Sequence, residues 1–318
     1  MDVLPGAIAA VLGTALAALL FPSFVAGEYR RRGGLRAEVA LRRYAALLYA
    51  TALGCYVLLP TGGGCFAAQL LPLAGLTGGG GLLQFASNIA LFVPLGALPA
   101  RGSRFAAAAG LAASLLIEVT QLTGLWFSFP CPYRVFDVND VIANTLGALL
   151  GGFVPLRPLD RARCASDPVP VTAGRRLLGM CCDGLLLGWL AVAAGGPDRP
   201  AWLPAALVLL AATLPTGTTL GQRLVLLRAH RPTPVVASLR WASGCGGLAA
   251  ALTCGPLLGA PAPLAAGLWC AAHAAGVICD RDRRGITGLL SGLELHDMRA
   301  PTTVRPREAG WDPCGTST

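Results

Sequence analysis

The sequence predicts an all-α, polytopic integral membrane protein with about nine transmembrane helices in two bundles. Three observations lead to this prediction: few charges, high hydropathy and long apolar runs. Only 13% of the 318 residues are charged, whereas a soluble domain carries about 25%. The mean hydropathy is +0.62. The apolar runs approach or exceed the ~20 residues that cross a bilayer, so a large soluble protein is disfavoured.

Nine apolar segments are separated by polar connections. The predicted spans are 4–25, 44–60, 83–99, 105–126, 138–156, 177–194, 201–218, 240–258 and 263–279. The second span is short, so a half-helix or re-entrant segment is the alternative there. The first lacks the basic start of a secretory signal peptide and is too long for its apolar core, so we expect it to be retained.

The arginines predict the orientation of these spans. With nine spans, the arginine-rich connections all fall on one side of the membrane, and each connection on the other side holds at most one arginine. The positive-inside rule then places the N-terminus outside and the C-terminus in the cytoplasm. The net charge of +9 is attributed to this orientation rather than to nucleic-acid binding. The arginine-rich, lysine-free composition is typical of a GC-rich bacterial genome, so we expect a multi-pass protein of the bacterial plasma membrane.

Changes in composition divide the chain into four parts. Residues 1–156 form the first predicted bundle and 175–297 the second. Between them, 157–174 is Pro-rich, charged and aperiodic, as is typical of a cytoplasmic linker. Residues 298–318 are polar with scattered prolines and are predicted to be a disordered cytoplasmic tail.

Polar residues of the first bundle are predicted to meet at its outer end. Seven of them lie near the outer ends of the third, fourth and fifth spans: Asn88, Glu118, Gln121, Arg134, Asp137, Asp140 and Asn144. Polar groups within spans cost a few kcal/mol each on insertion scales, so they are candidates for function. On the fifth helix the acidic positions share one face with two glycines, which are small enough for close helix packing.

This cluster supports three hypotheses. In the first, Arg134 holds a phosphate or carboxylate group by a bidentate contact, Glu118 and Asp140 transfer protons as catalytic residues, and the other four residues bind the substrate. In the second, the carboxylates bind and release a cation or a proton during transport. In the third, Arg134 pairs with Asp137 or Asp140 in a purely structural network.

Three motifs within residues 85–152 have spacings found together in a known family. They are Asn88-x-x-Leu91-Phe92-x-Pro94-x-Gly96, Glu118-x-x-Gln121 and Arg134-x-x-Asp137-x-x-Asp140-x-x-x-Asn144-x-x-Gly147-x-x-x-Gly151. In these motifs the chain resembles the VanZ-like membrane family, which is named after a protein associated with low-level teicoplanin resistance. The resemblance implies a cell-envelope protein that acts on or binds a lipid-linked or peptidoglycan-related component. It supplies no molecular activity.

A second set of residues lies in the second bundle. Arg176 precedes Asp183 by seven positions, and the segment Gly217-Thr218-Thr219-Leu220-Gly221-Gln222-Arg223 follows. This arrangement resembles the RDD family, although Gln222 replaces a lysine and Gly288 stands where an aspartate is expected. Some RDD proteins are thought to exchange ions, so the resemblance implies Asp183 and Arg176 as transport candidates. A structural ion pair is the alternative.

The remaining predictions concern cysteines, metals and partners. Cys65 and Cys131 fall in loops predicted to lie outside, where disulfides persist, so they are a candidate disulfide. The three histidines have no partners at metal-ligand spacing, and no metal or cofactor is predicted. The expected partners are membrane lipids and a lipid-linked or peptidoglycan precursor, not nucleic acid. The sequence indicates no oligomeric state.

Overall fold

The structure is a computed structural model of the chain that describes residues 3–59, 65–99, 101–154, 156, 168–230, 232–256, 259 and 261–300. Most of the predicted linker and most of the predicted tail lie outside these residues. The chain divides into two compact units. One comprises Met1–Phe21 and Arg36–Arg161, and the other comprises Pro22–Leu35 and Ala162–Thr318.

The first unit is built from helices. In chain order they are α1 (Val3–Arg32, whose second part belongs to the other unit), α2 (Ala37–Leu58), α3 (Gly79–Ala97), α4 (Ser103–Leu122), α5 (Gly124–Phe127) and α6 (Val138–Gly151). The predicted span 105–126 ends early, at Leu122. Beyond it Leu125, Trp126 and Phe127 have φ values of 54°, 55° and 65°, a left-handed conformation that cannot continue a right-handed helix.

Helices α3 and α6 pack with their backbones in close approach, because glycines lie at the contact. A Cβ atom added to Gly147 would lie 2.2 Å from the carbonyl oxygen of Ile89, and one added to Gly151 would lie 2.0 Å from that of Val93. Any side chain at these positions would therefore push the helices apart. This packing holds the first turns of α6, where the acidic residues lie, beside α3.

A loop segment supports the start of α6. The N–H of Gln69 donates to the carbonyl oxygen of Phe136 at 2.7 Å, and the N–H of Val138 donates back to the carbonyl oxygen of Gln69 at 3.1 Å. In the structure Cys65 and Cys131 are joined by a disulfide at a Cα–Cα distance of 5.4 Å. The two connecting loops are thus tied together directly before the helix that carries the acidic residues.

The second unit contains seven further helices and a small sheet. They are α7 (Ala173–Gly195), α8 (Trp202–Thr213), α9 (Leu220–Leu224), β1 (Leu227–Ala229), α10 (Pro234–Trp241), α11 (Gly247–Cys254), α12 (Ala262–Cys279), α13 (Gly285–Ser291) and β2 (Leu295–Asp297). A π-helical turn, Ala242–Gly246, joins α10 to α11. The two strands are antiparallel, with Leu227 opposite Asp297. The apolar core lies between α7, α8 and α11.

The helices identify the chain as an α-helical membrane protein. Within the described part of the chain, six are long and apolar enough to cross a bilayer: Gly6–Arg32, Gly79–Ala97, Ser103–Leu122, Ala173–Gly195, Pro234–Cys254 and Ala262–Cys279. Each predicted span overlaps a helix, but three of these helices are not among the six: α2, which has 22 residues, and two that are short. α6 has 14 residues and α8 has 12, which is about 20 Å of rise against ~30 Å of hydrocarbon. The count of nine spans therefore stays a prediction.

Candidate functional site

A cavity of about 500 Å³ lies in the first unit. Its lining comes from the C-terminal ends of α2 and α4, the N-terminal parts of α3 and α6, and the loops beside them. Part of the lining is apolar and is formed by residues that include Leu53, Val57, Leu91, Phe92 and Ile117. The lining also holds all seven polar residues predicted from the sequence: Asn88, Glu118, Gln121, Arg134, Asp137, Asp140 and Asn144.

The cavity is open to its surroundings at one edge. Gln84, Ser87 and Val135 line it there and are exposed. The deeper residues are different, since Glu118 is only 2% exposed, Gln121 4% and Asn144 5%. The site therefore combines an accessible edge with a buried polar interior, as ligand pockets in proteins commonly do.

Asp140 is held by amides from α3. Its Oδ1 atom accepts a hydrogen bond from Nδ2 of Asn88 at 2.6 Å and a long one from Nε2 of Gln84 at 3.5 Å. No described residue donates to its other oxygen. The side chain is thus oriented by one oxygen while the second remains available to a ligand.

Glu118, like Asp140, accepts a hydrogen bond from the protein with only one of its two oxygens among the described residues. Its Oε2 atom accepts the backbone N–H of Asp137 at 3.1 Å, and no described residue donates to Oε1. The side chain of Asp137 in turn caps α6 by accepting the N–H of Asn139 at 2.8 Å. The backbone contact therefore links the end of α4 to the start of α6 and fixes the carboxylate of Glu118 at the cavity.

Asn144 is held by a hydroxyl group on the neighbouring helix. Its Nδ2 atom donates to Oγ of Ser114 at 2.9 Å. Its Oδ1 atom is buried and has no hydrogen-bond partner among the described residues. Buried polar atoms normally have a partner, so this oxygen indicates that something outside the described residues donates to it.

Arg134 lies against an aromatic ring. The carbon at the centre of its guanidinium group is 4.5 Å from the centroid of the Tyr56 ring, which is within the range of a cation–π contact. The neighbouring Tyr133 donates from its hydroxyl group to the carbonyl oxygen of Val57 at 3.1 Å. Two aromatic residues thus anchor this loop to α2 and keep the guanidinium group at the cavity wall.

Sequence reasoning missed four residues that build the site: Tyr56, Gln84, Ser87 and Ser114. Two of them had a detectable signal. Gln84 precedes Asn88 by four residues and Ser114 precedes Glu118 by four, so each shares a helix face with a predicted residue. Tyr56 had none, because its contact with Arg134 joins residues far apart in the sequence.

The two transport candidates do not line this cavity, since both belong to the second unit. Asp183 accepts the N–H of Gly221 at 2.7 Å with one oxygen and the hydroxyl group of Thr219 with the other. Arg176 donates to the backbone carbonyl of Arg284. The structure therefore places Asp183 against the start of the short helix α9, and no direct ion pair joins it to Arg176.

A second buried carboxylate of this unit, Asp297, is also fully engaged. It accepts from Arg175 at 2.8 Å, from Arg299 at 2.7 Å and from the N–H of Val169 at 3.1 Å. Burial alone would raise the pKa of Asp297, but the hydrogen bonds from Arg299 and Val169 and the charge of Arg175 outweigh it and hold the pKa well below its ordinary value.

No metal site accompanies these groups in the described part of the chain. Across those residues, no three His, Cys, Asp or Glu side chains are placed to hold a metal ion.

The fold and the site together define an α-helical membrane protein with a polar, half-open cavity in its first unit. In a comparison with known families, residues 40–156 match the family described as VanZ/LLP1, which supports the VanZ-like resemblance of this part of the chain. The matched range includes every cavity residue named above and both disulfide cysteines. It does not reach the RDD-like residues, whose resemblance stays a prediction. Neither a search of curated proteins nor a search of solved structures found a match.

Proposed function

We propose that this chain is a VanZ-like protein of the bacterial cell envelope that binds or acts on a lipid-linked or peptidoglycan-related component in its first-unit cavity. The observation behind this proposal is that all seven predicted polar residues line one space of about 500 Å³ whose lining is partly apolar. Small-molecule sites typically enclose about 300–1,000 Å³ and combine apolar walls with a few placed polar groups.

The proposed roles follow from the contacts. Glu118 and Asp140 each have one oxygen without a described donor, so each can accept a proton or a hydrogen bond from the ligand. Arg134, stacked on Tyr56, would hold an anionic group of the same ligand. Asn88, Gln121, Asp137 and Asn144 would orient the carboxylates or contact the ligand. Catalytic turnover is a further hypothesis, because these contacts also suit simple binding.

We infer the orientation and the domain division from the sequence. Nine spans with the N-terminus outside would place the cavity at the outer face, because the arginine-rich connections then all face the cytoplasm. The proposed division into a VanZ-like domain, a linker, a second bundle and a tail accompanies this topology. The packing assigns Pro22–Leu35 to the second unit, so α1 would contribute to both.

For residues 175–297 we propose an RDD-like domain. Its support is that Thr219 and Gly221, both in the turn that suggested the resemblance, donate to Asp183. Because both oxygens of Asp183 are engaged, this geometry favours a structural role over ion exchange. Transport in this chain, the alternative function, is therefore better sought at Asp140 and Glu118.

The test compares teicoplanin susceptibility in a sensitive host that carries the wild type, Glu118→Gln, Asp140→Asn or Asp198→Asn. Asp198 is an exposed acid of the second unit and serves as the matched control. Membrane levels are equalised by blotting, since an insertion defect would mimic lost function. We expect protection by the wild type and by Asp198→Asn, and loss of protection in the two cavity variants.

Other outcomes favour the alternatives. If the wild type gives no protection, the link to glycopeptide susceptibility is wrong for this chain. A proton- or sodium-dependent flux that Asp140→Asn abolishes would then support a transporter. A scaffold would tolerate Glu118→Gln and would fail when Gly147 or Gly151 is enlarged.

A further inference from the structure

The charges around the first-unit cavity are unbalanced. Three carboxylates line it, those of Glu118, Asp137 and Asp140, and Arg134 is the one cationic side chain among the described lining residues. A ligand that carried only negative charge would meet an excess of like charge in a partly desolvated site, where such interactions are strong. The excess instead favours a ligand that brings a positive charge.

The hydrogen-bond balance points in the same direction. Three oxygens have no donor among the described residues: Oδ2 of Asp140, Oε1 of Glu118 and the buried Oδ1 of Asn144. The amide donors of Asn88 and Gln84 are already directed at Asp140. These three oxygens can accept hydrogen bonds from a ligand that donates. An ammonium group has three N–H donors and no acceptor.

The helices bring these acceptors to one place. Asp140 and Asn144 lie one turn apart on α6, and Ser114, which holds Asn144, lies one turn before Glu118 on α4. The hydrogen bond from the N–H of Asp137 to Glu118 joins the end of α4 to the start of α6. The three oxygens without a described donor thus belong to residues on two helices that line the same cavity.

The size of the space favours an organic ligand over a bare ion. A cavity of about 500 Å³ is the size of a small organic molecule, whereas a metal ion needs ligands within about 2.0–2.6 Å on several sides. The apolar part of the lining, which includes Leu53, Leu91 and Ile117, offers apolar surface to the carbon skeleton of such a molecule.

We propose that the first-unit cavity recognises its ligand through an organic ammonium group, held by the carboxylates of Asp140 and Glu118 and by the amide oxygen of Asn144. This inference rests on the ligand site of the proposed function and names the chemistry of its ligand. Two sources carry that chemistry in a cell envelope: the amine of an aminophospholipid headgroup and the side-chain amine of a peptide.

The test measures binding to the full-length protein, purified in detergent, with pairs of probes that differ only in their ammonium group. The lipid pair is a short-chain phosphatidylethanolamine and its N-acetyl derivative. The peptide pair is a blocked Ala-Lys-Ala tripeptide and its Nε-acetyl form. Calorimetry gives the affinity, and the shift in thermal unfolding gives an independent reading.

We expect the ammonium form of one pair to bind about tenfold or more tightly than its acetylated form, because charge-assisted hydrogen bonds are lost on acetylation. The pair that shows this preference identifies the source. Asp140→Asn and Glu118→Gln should remove the preference, and Asp198→Asn should keep it. Size-exclusion profiles and unfolding temperatures show that each variant is folded.

Two results overturn the proposal. One is equal binding of the ammonium and acetylated forms, including the case in which an Arg134-dependent phosphate contact dominates. The other is binding of neither pair by monodisperse protein. Both results are distinguishable from failure of the proposed function. A protein without effect on teicoplanin susceptibility can still prefer the ammonium probe, and a protein that changes susceptibility can lack this preference.

Discussion

Buried carboxylates are used differently in the two units of this chain. In the second unit both oxygens of Asp183 accept hydrogen bonds from the chain itself, and Asp297 is enclosed by two arginines. In the first unit Glu118 and Asp140, which line a cavity, each accept hydrogen bonds from the protein with one oxygen, and no described residue donates to the other. Burial of an acid therefore does not by itself indicate a ligand site. A buried acid indicates such a site when one of its oxygens accepts no hydrogen bond from the described residues.

The surroundings of Asp183 in the second unit indicate its structural role. Arg240 is 1% exposed, and none of its three guanidinium nitrogens has a hydrogen-bond partner among the described residues. Asp183 is an acid near enough to attract Arg240, whereas the like charge of Arg176 repels it. Because an uncompensated buried charge is costly, we expect Asp183 to stabilise the unit twice: it binds the start of α9, and it partly balances the arginine.

The largest expected effect follows from this arrangement. Asp183→Ala should lower the free energy of unfolding by about 3–5 kcal/mol, because it leaves Arg240 without a compensating charge and two donors without their acceptor. Thermal or denaturant unfolding of the detergent-purified protein measures it. Asp140→Ala, the matched variant in the first unit, should cost less, since no described residue donates to its second oxygen. A larger loss for Asp140→Ala would contradict the comparison.

A smaller effect is expected from the disulfide, which belongs to the first unit alone. The described cysteines of the second unit are free, so reduction should act on the loops beside the cavity. Cys65→Ser combined with Cys131→Ser should cost about 2–4 kcal/mol and weaken binding of the preferred ammonium probe. Cys55→Ser, which removes a free thiol of α2, should change neither.

Mass spectrometry after alkylation checks the bond itself. Reduction before alkylation should make Cys65 and Cys131 newly reactive. If both thiols react without a reductant in the unfolded protein, the bond is absent and the stability prediction fails with it.

The sequence predicts the helices and the meeting of the polar residues, and the reason is physical in both cases. Apolar runs of membrane-spanning length can fold only as helices where no water satisfies the backbone. Three consecutive spans that alternate in direction bring the start of one, the end of the next and the start of the third to one side. Asn88, Glu118 and Asp140 therefore had to lie at similar depth, and the structure places them around one cavity.

The parts that sequence reasoning missed depend on contacts between distant residues or on local backbone shape. Helix α4 ends at Leu122 because left-handed residues follow it, beginning with Gly124 at a φ of 59°. Gly124 was a detectable signal, since glycine commonly ends helices in this conformation, whereas Trp126 and Phe127 give no such signal. The stacking of Arg134 on Tyr56 requires the loop to fold back on α2. Hydrophobic periodicity contains no information on either.

The smallest expected effect concerns the hydrogen bond between Asn144 and Ser114 in the first unit. Ser114→Ala removes the acceptor that holds Nδ2 of Asn144 and should cost about 0.5–1.5 kcal/mol in stability. If the amide then rotates, its oxygen leaves the group of free acceptors, and binding of the preferred ammonium probe should weaken by up to about tenfold. Ser238→Ala is the control, because the Ser238 hydroxyl belongs to the second unit and donates to the Pro234 carbonyl of its own helix. Equal effects of the two variants would show that Asn144 does not contribute to the site, and the ammonium would then depend on the two carboxylates alone.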